Sequence, residues 1–491
     1  MKKIVRLSVR VLLVSVALLT AAVFGWAMNS RNMPELEIWH TTELPSRFGR
    51  QDIEKMSGLD DYLQREARLF EEVQRLVYDQ KDPADRLDFN RYHRGSNTDP
   101  SRFPEDFNRS WELQPSGPPR CGVLLVHGLT DSPYSMRHLA QIYQAEGCYA
   151  LVLRMPGHGT VPMGLVESDW KDWRAAVALG AAAVRERVGD AAPLFLAGYS
   201  NGGALVLGHA LDALDDPELV PADALVLFSP MIGVTPFSRF AELGNVLTRF
   251  EYFAQFAWLD ILPEYDPYKY NSFPKNAGYQ TFLVTEALRR RLRALESAGR
   301  LGEIPPVLTF QSLVDATVST PAVVRELYTR LRSPGSELVL FDLNRASSLA
   351  PFLSVDHLQF VEDLLLGDKL SYDITLIGNR DRTSGAVVSR HRPAQTDEIV
   401  KTALDIEWPQ GTYSLSHLAI VFPPDDEFYG TAEASQAAGV LNLGSLSPRG
   451  ERGVMNVSIG NLARLRHNPF FDYMADRVRA DIAGFLDQWG R

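Results

Sequence analysis

The sequence predicts an α/β fold built on buried parallel strands, and three stretches of the chain predict it. Each is a short apolar run, typical of such a strand, that ends in a glycine-containing turn. The runs cover residues 122–126, 149–153 and 193–197. The third run is followed at 203–211 by a small, apolar segment that predicts a packed helix. Strand, turn and helix in succession favour the α/β class.

The turn after the third strand is Gly198-Tyr199-Ser200-Asn201-Gly202. A G-x-S-x-G turn between a strand and a helix holds its serine on a strained corner with the hydroxyl exposed. Glycines on either side remove the Cβ atoms that would collide there. With glycine and serine each near ~7% of residues, the bare pattern arises by chance in roughly one chain in five or ten of this length. The strand and helix around it make Ser200 the candidate nucleophile.

A second motif lies about seventy residues upstream, where the first strand ends in His127-Gly128-Leu129-Thr130. Acyl-transfer enzymes need two backbone N–H groups aimed at the developing oxyanion. One belongs to the residue after the nucleophile, and the other to a loop after an earlier strand. Asn201 and Leu129 occupy those two positions. His127 itself is equally compatible with a residue that only packs the loop.

Between these motifs, Tyr149–Leu153 runs into Arg154-Met155-Pro156-Gly157-His158-Gly159-Thr160. Together the three stretches resemble the serine hydrolases of the α/β-hydrolase fold, nearest the branch of monoacylglycerol lipases and serine-aminopeptidase-like hydrolases. The resemblance covers roughly residues 118–345. It implies a mostly parallel, eight-stranded sheet with helices on both faces and a helical lid inserted after the sixth strand.

A serine hydroxyl becomes a good nucleophile only when a base takes its proton, and a third group must hold that base. In this fold the order along the chain is serine, then aspartate or glutamate, then histidine. Asp315 closes a predicted strand at 306–315, at the end where the serine turn lies, and is the candidate acid. Asp342 closes the following strand and is the alternative.

Four of the ten histidines follow the candidate acid in the chain: His357, His391, His417 and His467. His391 is flanked by two arginines, which would oppose an imidazolium, and His357 sits in a helical apolar pattern. His467 precedes the last predicted helix, where compact relatives place the base. His417 opens an apolar strand in a segment similar to the histidine segment of larger, membrane-anchored members of the family. We therefore predict His417 as the base, with His467 as the alternative.

Composition excludes some classes of partner. The formal net charge is −11, and no basic patch interleaved with aromatic residues occurs, so we expect no nucleic acid partner. With two cysteines and no His-x-x-x-His cluster, the sequence predicts no metal site and no cofactor. Whether the protein forms oligomers is left open.

The N-terminus predicts a membrane anchor or an export signal over residues 1–28. Lys2, Lys3, Arg6 and Arg10 precede an uncharged run from Val11 to Met28, which is just long enough to span a bilayer. Basic residues stay in the cytoplasm, so we expect the catalytic domain outside it, in the periplasm if the source is bacterial. A cleaved signal and a secreted protein remain the alternative.

Cys121 and Cys148 each begin one of the apolar strands. In the fold that the resemblance implies, these strands are parallel neighbours, so both thiols lie at one end of the sheet. Outside the cytoplasm such a pair can form a disulfide. Two small buried hydrophobic residues are the equally acceptable alternative.

The rest of the chain is divided as follows. Residues 29–119 form an N-terminal extension with an amphipathic helix at 58–78, because apolar residues recur there at helical spacing. The hydrolase domain covers 120–491. Within it the resemblance places a lid at about 231–300, rich in aromatic residues, and an insertion lies at about 345–410.

These features predict a carboxylic-ester hydrolase of the lipase or esterase type, acting on an apolar acyl ester at a membrane. A thioesterase and an aminopeptidase-like peptidase use the same chemistry, and the peptidase needs a lid carboxylate to hold an ammonium group. A binding or scaffolding protein on a hydrolase fold is the alternative from another class.

Overall fold

A computed structural model describes residues 2–30, 32–80, 88–233, 251–315, 317–346, 356–440, 442–444, 446–447 and 463–489. Fifteen strands lie in these ranges: β1 (Trp111–Leu113), β2 (Cys121–Val126), β3 (Cys148–Leu153), β4 (Leu194–Tyr199), β5 (Ala224–Phe228), β6 (Trp258–Asp260), β7 (Phe273–Pro274), β8 (Val307–Ser312), β9 (Glu337–Phe341), β10 (Asp373–Asn379), β11 (Ala386–Arg392), β12 (Val400–Glu407), β13 (Thr412–Leu415), β14 (Leu446–Ser447) and β15 (Ala463–Leu465).

The same ranges contain thirteen α-helices: α1 (Lys2–Ser30), α2 (Ile38–Thr41), α3 (Arg50–Ile53), α4 (Leu59–Val73), α5 (Arg137–Ala145), α6 (Met163–Val166), α7 (Trp170–Val188), α8 (Asn201–Asp212), α9 (Lys275–Ser297), α10 (Thr320–Val323), α11 (Asp356–Leu366), α12 (Ala432–Ala438) and α13 (Phe471–Trp489). Short 3₁₀ turns occur at Pro100–Arg102, Pro133–Met136, Glu251–Ala257, Leu301–Glu303 and Leu418–Val421. Single π turns occur at Gln74–Tyr78 and Val324–Tyr328.

The main sheet has the strand order β1-β3-β2-β4-β5-β8-β9-β10-β11-β12. The seven central strands, from β3 to β10 in this order, are parallel, while β1, β11 and β12 pair antiparallel with their neighbours. Successive strand residues face opposite sides, so Leu124 and Val126 join one core with α7, α8 and α9. Val123 and Leu125 join the other core, with α5 and α13. Helices therefore cover both faces, as predicted.

The prediction of eight strands was wrong, since the described part of the main sheet has ten. The two extra strands, β11 and β12, belong to the predicted insertion at 345–410 and extend the sheet beyond β10 as antiparallel strands, with β12 at the edge. Their composition hid them, because β12 is mostly solvent-exposed and β11 ends in Arg390-His391-Arg392. An edge strand that is exposed to solvent on both faces lacks the alternation of apolar and polar residues that identifies a half-buried strand.

The N-terminal extension packs against the loop that follows β3. The predicted helix at 58–78 corresponds to α4 and the π turn after it. The Tyr62 hydroxyl donates to the Arg154 carbonyl over 2.6 Å, and the Glu66 carboxylate pairs with the buried Arg154 guanidinium over 2.8 Å. These contacts fix the extension on the edge of the sheet where the strands' carboxyl ends lie.

Cys121 and Cys148 face each other at the start of β2 and β3 and form a disulfide, with Cα atoms 4.4 Å apart. Both residues are fully buried. The sequence left open whether these cysteines form a disulfide or are two unbonded buried residues, and the structure has the disulfide.

Within the described residues, α1 is the one helix long and apolar enough to cross a membrane, with a mean hydropathy of 2.1 over Ser8–Gly25, a window that is not buried at all. A signal sequence passes the same test of length and composition. Only part of the predicted lid, 231–233 and 251–300, falls in the described ranges, so the prediction for 234–250 lies outside them.

Candidate active site

Ser200 lies on a strained corner between β4 and α8. Its backbone has φ 55° and ψ −117°, a conformation that non-glycine residues rarely adopt. The corner is held because the Ser200 N–H donates to the Phe228 carbonyl and the Met231 N–H donates to the Ser200 carbonyl, each over 2.9 Å. Strain of this kind persists only where the surrounding structure fixes it, and it concentrates at functional sites.

Both glycines of the turn are required by close backbone approach. A Cβ atom on Gly202 would lie 2.1 Å from the Val126 carbonyl oxygen, and one on Gly198 would lie 2.5 Å from the Gly202 carbonyl carbon. The G-x-S-x-G pattern therefore reflects the packing of the corner onto β2. This is the context that the pattern needs in order to indicate a nucleophile.

His417 and Asp315, 102 residues apart in the chain, are in hydrogen-bond contact. The distance between His417 Nδ1 and Asp315 Oδ2 is 2.6 Å. Asp315 is fully buried, and its other carboxylate oxygen accepts the backbone N–H groups of Thr317 and Val318 over 2.7 and 3.0 Å. Burial raises the pKa of Asp315, but His417 and these N–H donors outweigh it and hold the pKa below its usual value. The carboxylate is therefore ionised and oriented towards the imidazole.

Tyr199, the residue before Ser200, also contacts His417. The Tyr199 hydroxyl donates to the His417 carbonyl over 3.4 Å, and the two rings lie 5.1 Å apart. Because Tyr199 directly precedes Ser200, these contacts place His417 against the residue that leads into the strained corner. The structure thus brings the predicted nucleophile, base and acid to one edge of the sheet, where β4 and β8 end.

The alternative residues make other contacts. Asp342 forms two hydrogen bonds, of 2.6 and 2.7 Å, with the Arg345 guanidinium and accepts the Leu343 N–H. His391 lies in β11, bonded to Thr375 over 2.9 Å. His467 is 6% exposed, burial lowers its pKa, and its Nδ1 has no hydrogen-bond partner in the described part of the chain. The side chain of His357 is outside what the structure describes.

The loop after β2 carries the predicted oxyanion donor Leu129. It is constrained from the strand side by the buried His127, whose Nδ1 lies 2.9 Å from the Gly128 carbonyl and whose Nε2 accepts the Met155 N–H over 3.0 Å. Thr130 has φ 63°, and its carbonyl accepts the Tyr270 N–H over 2.8 Å. Lys269 pairs with Asp131 over 2.9 Å. Residues from the lid region therefore hold this loop from outside.

Across the described residues, the backbone N–H groups of Leu129 and Asn201 donate to no other protein group. Asn201 opens α8, and the first N–H groups of a helix lack partners within the helix. The helix dipole adds partial positive charge at this end. Two free donors on adjacent loops are suited to an anionic oxygen.

Sequence reasoning missed a buried charged network behind this site. The Asp426 carboxylate contacts His138 Nε2 over 2.9 Å, and the Arg137 guanidinium and Tyr134 hydroxyl over 3.2 Å each. The Tyr134 ring stacks on Tyr268 of the lid region at 4.2 Å. The network joins three parts of the chain: the loop after β2, which we call the oxyanion loop after its predicted donor Leu129, the lid region, and the segment after His417. No local sequence pattern predicts this network, because His138 and Asp426 are 288 residues apart in the chain.

Comparison with known proteins agrees with this architecture. Residues 117–344 match the profile of the family described as serine aminopeptidase, S33. A thermostable monoacylglycerol lipase of Bacillus sp. (strain H-257) is 38% identical over 105 residues, which are 21% of this chain and 41% of the relative. The chain therefore spans about two fifths of the length of the curated relative it matches.

Solved structures of similar proteins cover about half of the chain. The monoacylglycerol lipase of Paleococcus ferrophilus matches with 20% identity and a TM-score of 0.35, over 48% of this chain and 89% of its own. A soluble variant of monoglyceride lipase from Saccharomyces cerevisiae matches with 16% identity and a TM-score of 0.34, over 48% and 82%. Scores this low carry no argument by themselves.

The family match covers the strands β2 to β9, which include the three stretches on which the sequence resemblance rested, and it also covers Asp315. Residues 117–344 thus have the α/β-hydrolase fold and are similar in sequence to the serine aminopeptidase S33 family, and part of the chain is similar to a monoacylglycerol lipase.

Proposed function

We propose that the protein is a serine hydrolase that cleaves a carboxylic ester with an apolar acyl group. The observation that carries the proposal is the 2.6 Å contact between His417 and Asp315, beside the strained corner that presents Ser200. An ionised carboxylate on Nδ1 leaves Nε2 of the imidazole free to accept a proton. This is the arrangement that activates a serine hydroxyl.

In the mechanism we propose, Ser200 attacks the ester carbonyl while His417 takes the hydroxyl proton. Asp315 orients the imidazole and stabilises its protonated form. The N–H groups of Leu129 and Asn201 bind the oxyanion, and His417 then protonates the departing alcohol. Water hydrolyses the acyl-enzyme by the same steps. Neither a metal nor a cofactor takes part in this scheme.

The substrate class rests on two supports. The matched relative is a monoacylglycerol lipase by name, although the match covers only part of it. The lid region also brings aromatic residues next to the loop after β2: the Tyr268 ring stacks on Tyr134, and the Tyr270 N–H donates to the Thr130 carbonyl. Apolar and aromatic walls with few polar groups suit a lipid-like ester.

The aminopeptidase alternative is less favoured, because the two buried carboxylates of the lid region, Glu264 and Asp266, already have partners. Glu264 is buried and accepts the N–H groups of Asn271 and Ser272 over 3.0 and 2.9 Å. Asp266 is buried and accepts the Tyr429 hydroxyl over 2.5 Å. Burial raises the pKa of Glu264 to about 7, so it is a poor partner for an ammonium group. A thioesterase remains compatible with the same residues.

We further propose that α1 anchors the protein in a membrane, with the domain on the non-cytoplasmic side. The basic residues before the apolar run favour that orientation. The Cys121–Cys148 disulfide suits an oxidising compartment.

Labelling with a fluorophosphonate probe tests the proposal. Full-length protein in detergent micelles should be labelled, and Ser200→Ala should not, while Ser229→Ala, at another buried serine with positive φ, should keep labelling. A panel of esters, thioesters and aminoacyl amides then assigns the substrate class. A folded wild type that neither labels nor hydrolyses any of them would favour the scaffold alternative.

A further inference from the structure

The chain that leaves α1 docks directly onto the lid region. Gln255 Nε2 donates to the carbonyls of Met33 and Pro34 over 3.3 and 3.0 Å. His40 Nε2 lies 2.9 Å from the Ser272 hydroxyl, and the His40 ring contacts Trp258 edge-on at 4.9 Å. We call residues 258–272 the lid loop.

These contacts are specific, because the partners fix the proton positions on His40. Its Nδ1 accepts the Glu37 N–H over 3.0 Å, so its Nε2 carries the proton and donates to Ser272. The Ser272 hydroxyl in turn donates to the Leu262 carbonyl over 3.0 Å. Burial lowers the pKa of His40 to about 4, which keeps the ring neutral and this tautomer in place near neutral pH.

The link between α1 and this docking point is short. The apolar window ends at Gly25, and the helix covers only about 7 Å from there to Ser30. Three further residues to Met33 add at most about 10 Å. A headgroup layer is itself roughly 5–8 Å thick. If α1 spans a bilayer, the lid loop is therefore held close to the surface of that bilayer.

The side of the lid loop that faces away from the domain carries exposed leucines. Along β6, Trp258 is 2% exposed and points inward to His40, so the next residue, Leu259, points outward and is 55% exposed. Leu262 is 42% exposed. Exposed single leucines are ordinary on a protein surface. Two of them on one short loop beside an apolar anchor form a surface that suits lipid.

The other end of the lid loop reaches the candidate active site. The Tyr270 N–H donates to the Thr130 carbonyl of the oxyanion loop over 2.8 Å. Asp266 accepts the Tyr429 hydroxyl, which lies on the segment after His417. A single loop therefore runs from the exposed leucines to the residues that surround Ser200.

We propose that the lid loop rests on the bilayer that holds α1, with Leu259 and Leu262 inserted among the lipid headgroups, and that the site takes its ester from that bilayer. The part on the ester rests on the function proposed above. The orientation of the domain does not, since it follows from α1 and the docking contacts. The occupant is a lipid surface, and its neutral headgroups suit a loop that also exposes Asp260.

The orientation is tested with full-length protein in phosphatidylcholine nanodiscs. Leu259→Cys, labelled with an environment-sensitive fluorophore, is compared with Leu366→Cys at the end of α11, where the leucine is 73% exposed. The native cysteines are bonded to each other and do not react. Brominated lipid should quench the probe at 259 at least several-fold more than the probe at 366. Equal quenching at both positions, or none at 259, overturns the proposal; Leu262→Cys serves if Leu259→Cys misfolds.

The supply of substrate is tested with the Leu259→Ser, Leu262→Ser double variant. We expect a fall of roughly tenfold in hydrolysis of a long-chain monoester embedded in nanodiscs, with hydrolysis of a water-soluble short-chain ester unchanged. Equal rates on the embedded ester for variant and wild type would refute the supply route. A wild type inactive on both esters would count against the proposed function alone, because the quenching result needs no hydrolysis.

Discussion

The backbone N–H of Asn344 donates to the carbonyl of Tyr413 over 2.8 Å, and the Asn344 side chain donates to the Thr412 carbonyl over 2.9 Å. The chain therefore leaves the core just after β9 and returns to the same place at β13. Between these points, strands β10 to β12 extend the sheet sideways. His417 follows the point of return by only a few residues, which brings it next to Asp315.

From this arrangement we predict that His417 is the base and His467 is not. His417→Ala should lower kcat for ester hydrolysis by roughly 10⁶-fold, as loss of the triad histidine does in another serine hydrolase. His467→Ala removes a buried ring without a partner on Nδ1, so it should leave kcat within a few-fold and affect mainly stability. Steady-state kinetics and a thermal melt of both variants check this. Similar losses of kcat in the two would contradict it.

Asp315 and Asp342 offer a second matched comparison. Asp315→Asn should lower kcat by up to about 10⁴-fold, because an amide at this position favours the wrong tautomer of the imidazole. Asp342→Asn loses only its pairing with Arg345 and should keep most of its activity. Fluorophosphonate labelling rates measured at neutral pH would show the difference. If Asp342→Asn were the slower of the two, the acid would have to be reassigned.

The parts of the fold that sequence predicted are those that local patterns determine. Buried parallel strands are continuous apolar runs, and the serine corner needs glycines where backbones approach, so both leave marks within a few residues. Asp315 was found because it lies just after such a strand, although β8 ends at Ser312 and not at Asp315 as predicted. Strand β12 left no mark, since an exposed edge strand has little apolar periodicity, and β11 was hidden by the charged run Arg390-His391-Arg392 at its end.

Chain order allowed four candidate histidines, and His417 was preferred only because its segment resembles the histidine segment of larger members of the family. Its contact with Asp315 depends on where the insertion rejoins the core, which is a tertiary fact. The contacts of Asp426 with Arg137 and His138 are equally non-local. Nor does the Pro423-Pro424-Asp425-Asp426 run itself say which of its two carboxylates is buried.

Ionised Asp426 should contribute stability to the fold that is lost at acid pH. Burial raises its pKa, but His138 and Arg137 outweigh this and hold the pKa below its usual value. A lowered pKa contributes stability that is present above the unfolded-state value, about 3.9, and is lost as pH falls through the folded value. The melting temperature of Asp426→Asn should therefore fall less than that of wild type between pH 6 and pH 3.

At pH 7 the same substitution leaves Arg137 without its buried partner and should cost about 3–5 kcal/mol. Asp425→Asn, at the exposed neighbour, is the control and should follow wild type at both pH values. If the melting temperature of Asp426→Asn fell between pH 6 and pH 3 as much as that of wild type, the loss of stability at acid pH would belong to other carboxylates.

The disulfide should contribute to stability through the unfolded chain. Cys121 and Cys148 are separated by 27 residues, and closing a loop of that size contributes about 3–4 kcal/mol in the chain-entropy model. Cys121→Ala, Cys148→Ala should lower the free energy of unfolding by an amount of that order. Reductant should lower the stability of wild type and leave the double variant unchanged, whereas equal responses would mean that the cysteines are not bonded in the folded protein.

His127 should position the oxyanion donor Leu129. The Gly128 carbonyl is only an acceptor and the Met155 N–H only a donor, so both contacts of His127 require the neutral ring with its proton on Nδ1. The Gly128 C=O and the Leu129 N–H belong to one planar, trans peptide unit and point in opposite directions. A hydrogen bond that fixes the carbonyl therefore fixes the direction of the N–H group.

Two amide variants separate the two contacts of His127. In His127→Asn the side-chain NH₂ takes the place of Nδ1 and can still donate to Gly128, whereas in His127→Gln the side-chain oxygen takes the place of Nε2 and can accept only from Met155. A misdirected oxyanion donor costs up to about 10²-fold. We expect His127→Gln to lose roughly 10–100-fold in kcat with KM little changed, and His127→Asn to lose much less. Hydrogen exchange of the segment 127–131, which needs no substrate, should be faster in His127→Gln than in His127→Asn, and equal behaviour of the two variants in both measurements would reduce His127 to a packing residue.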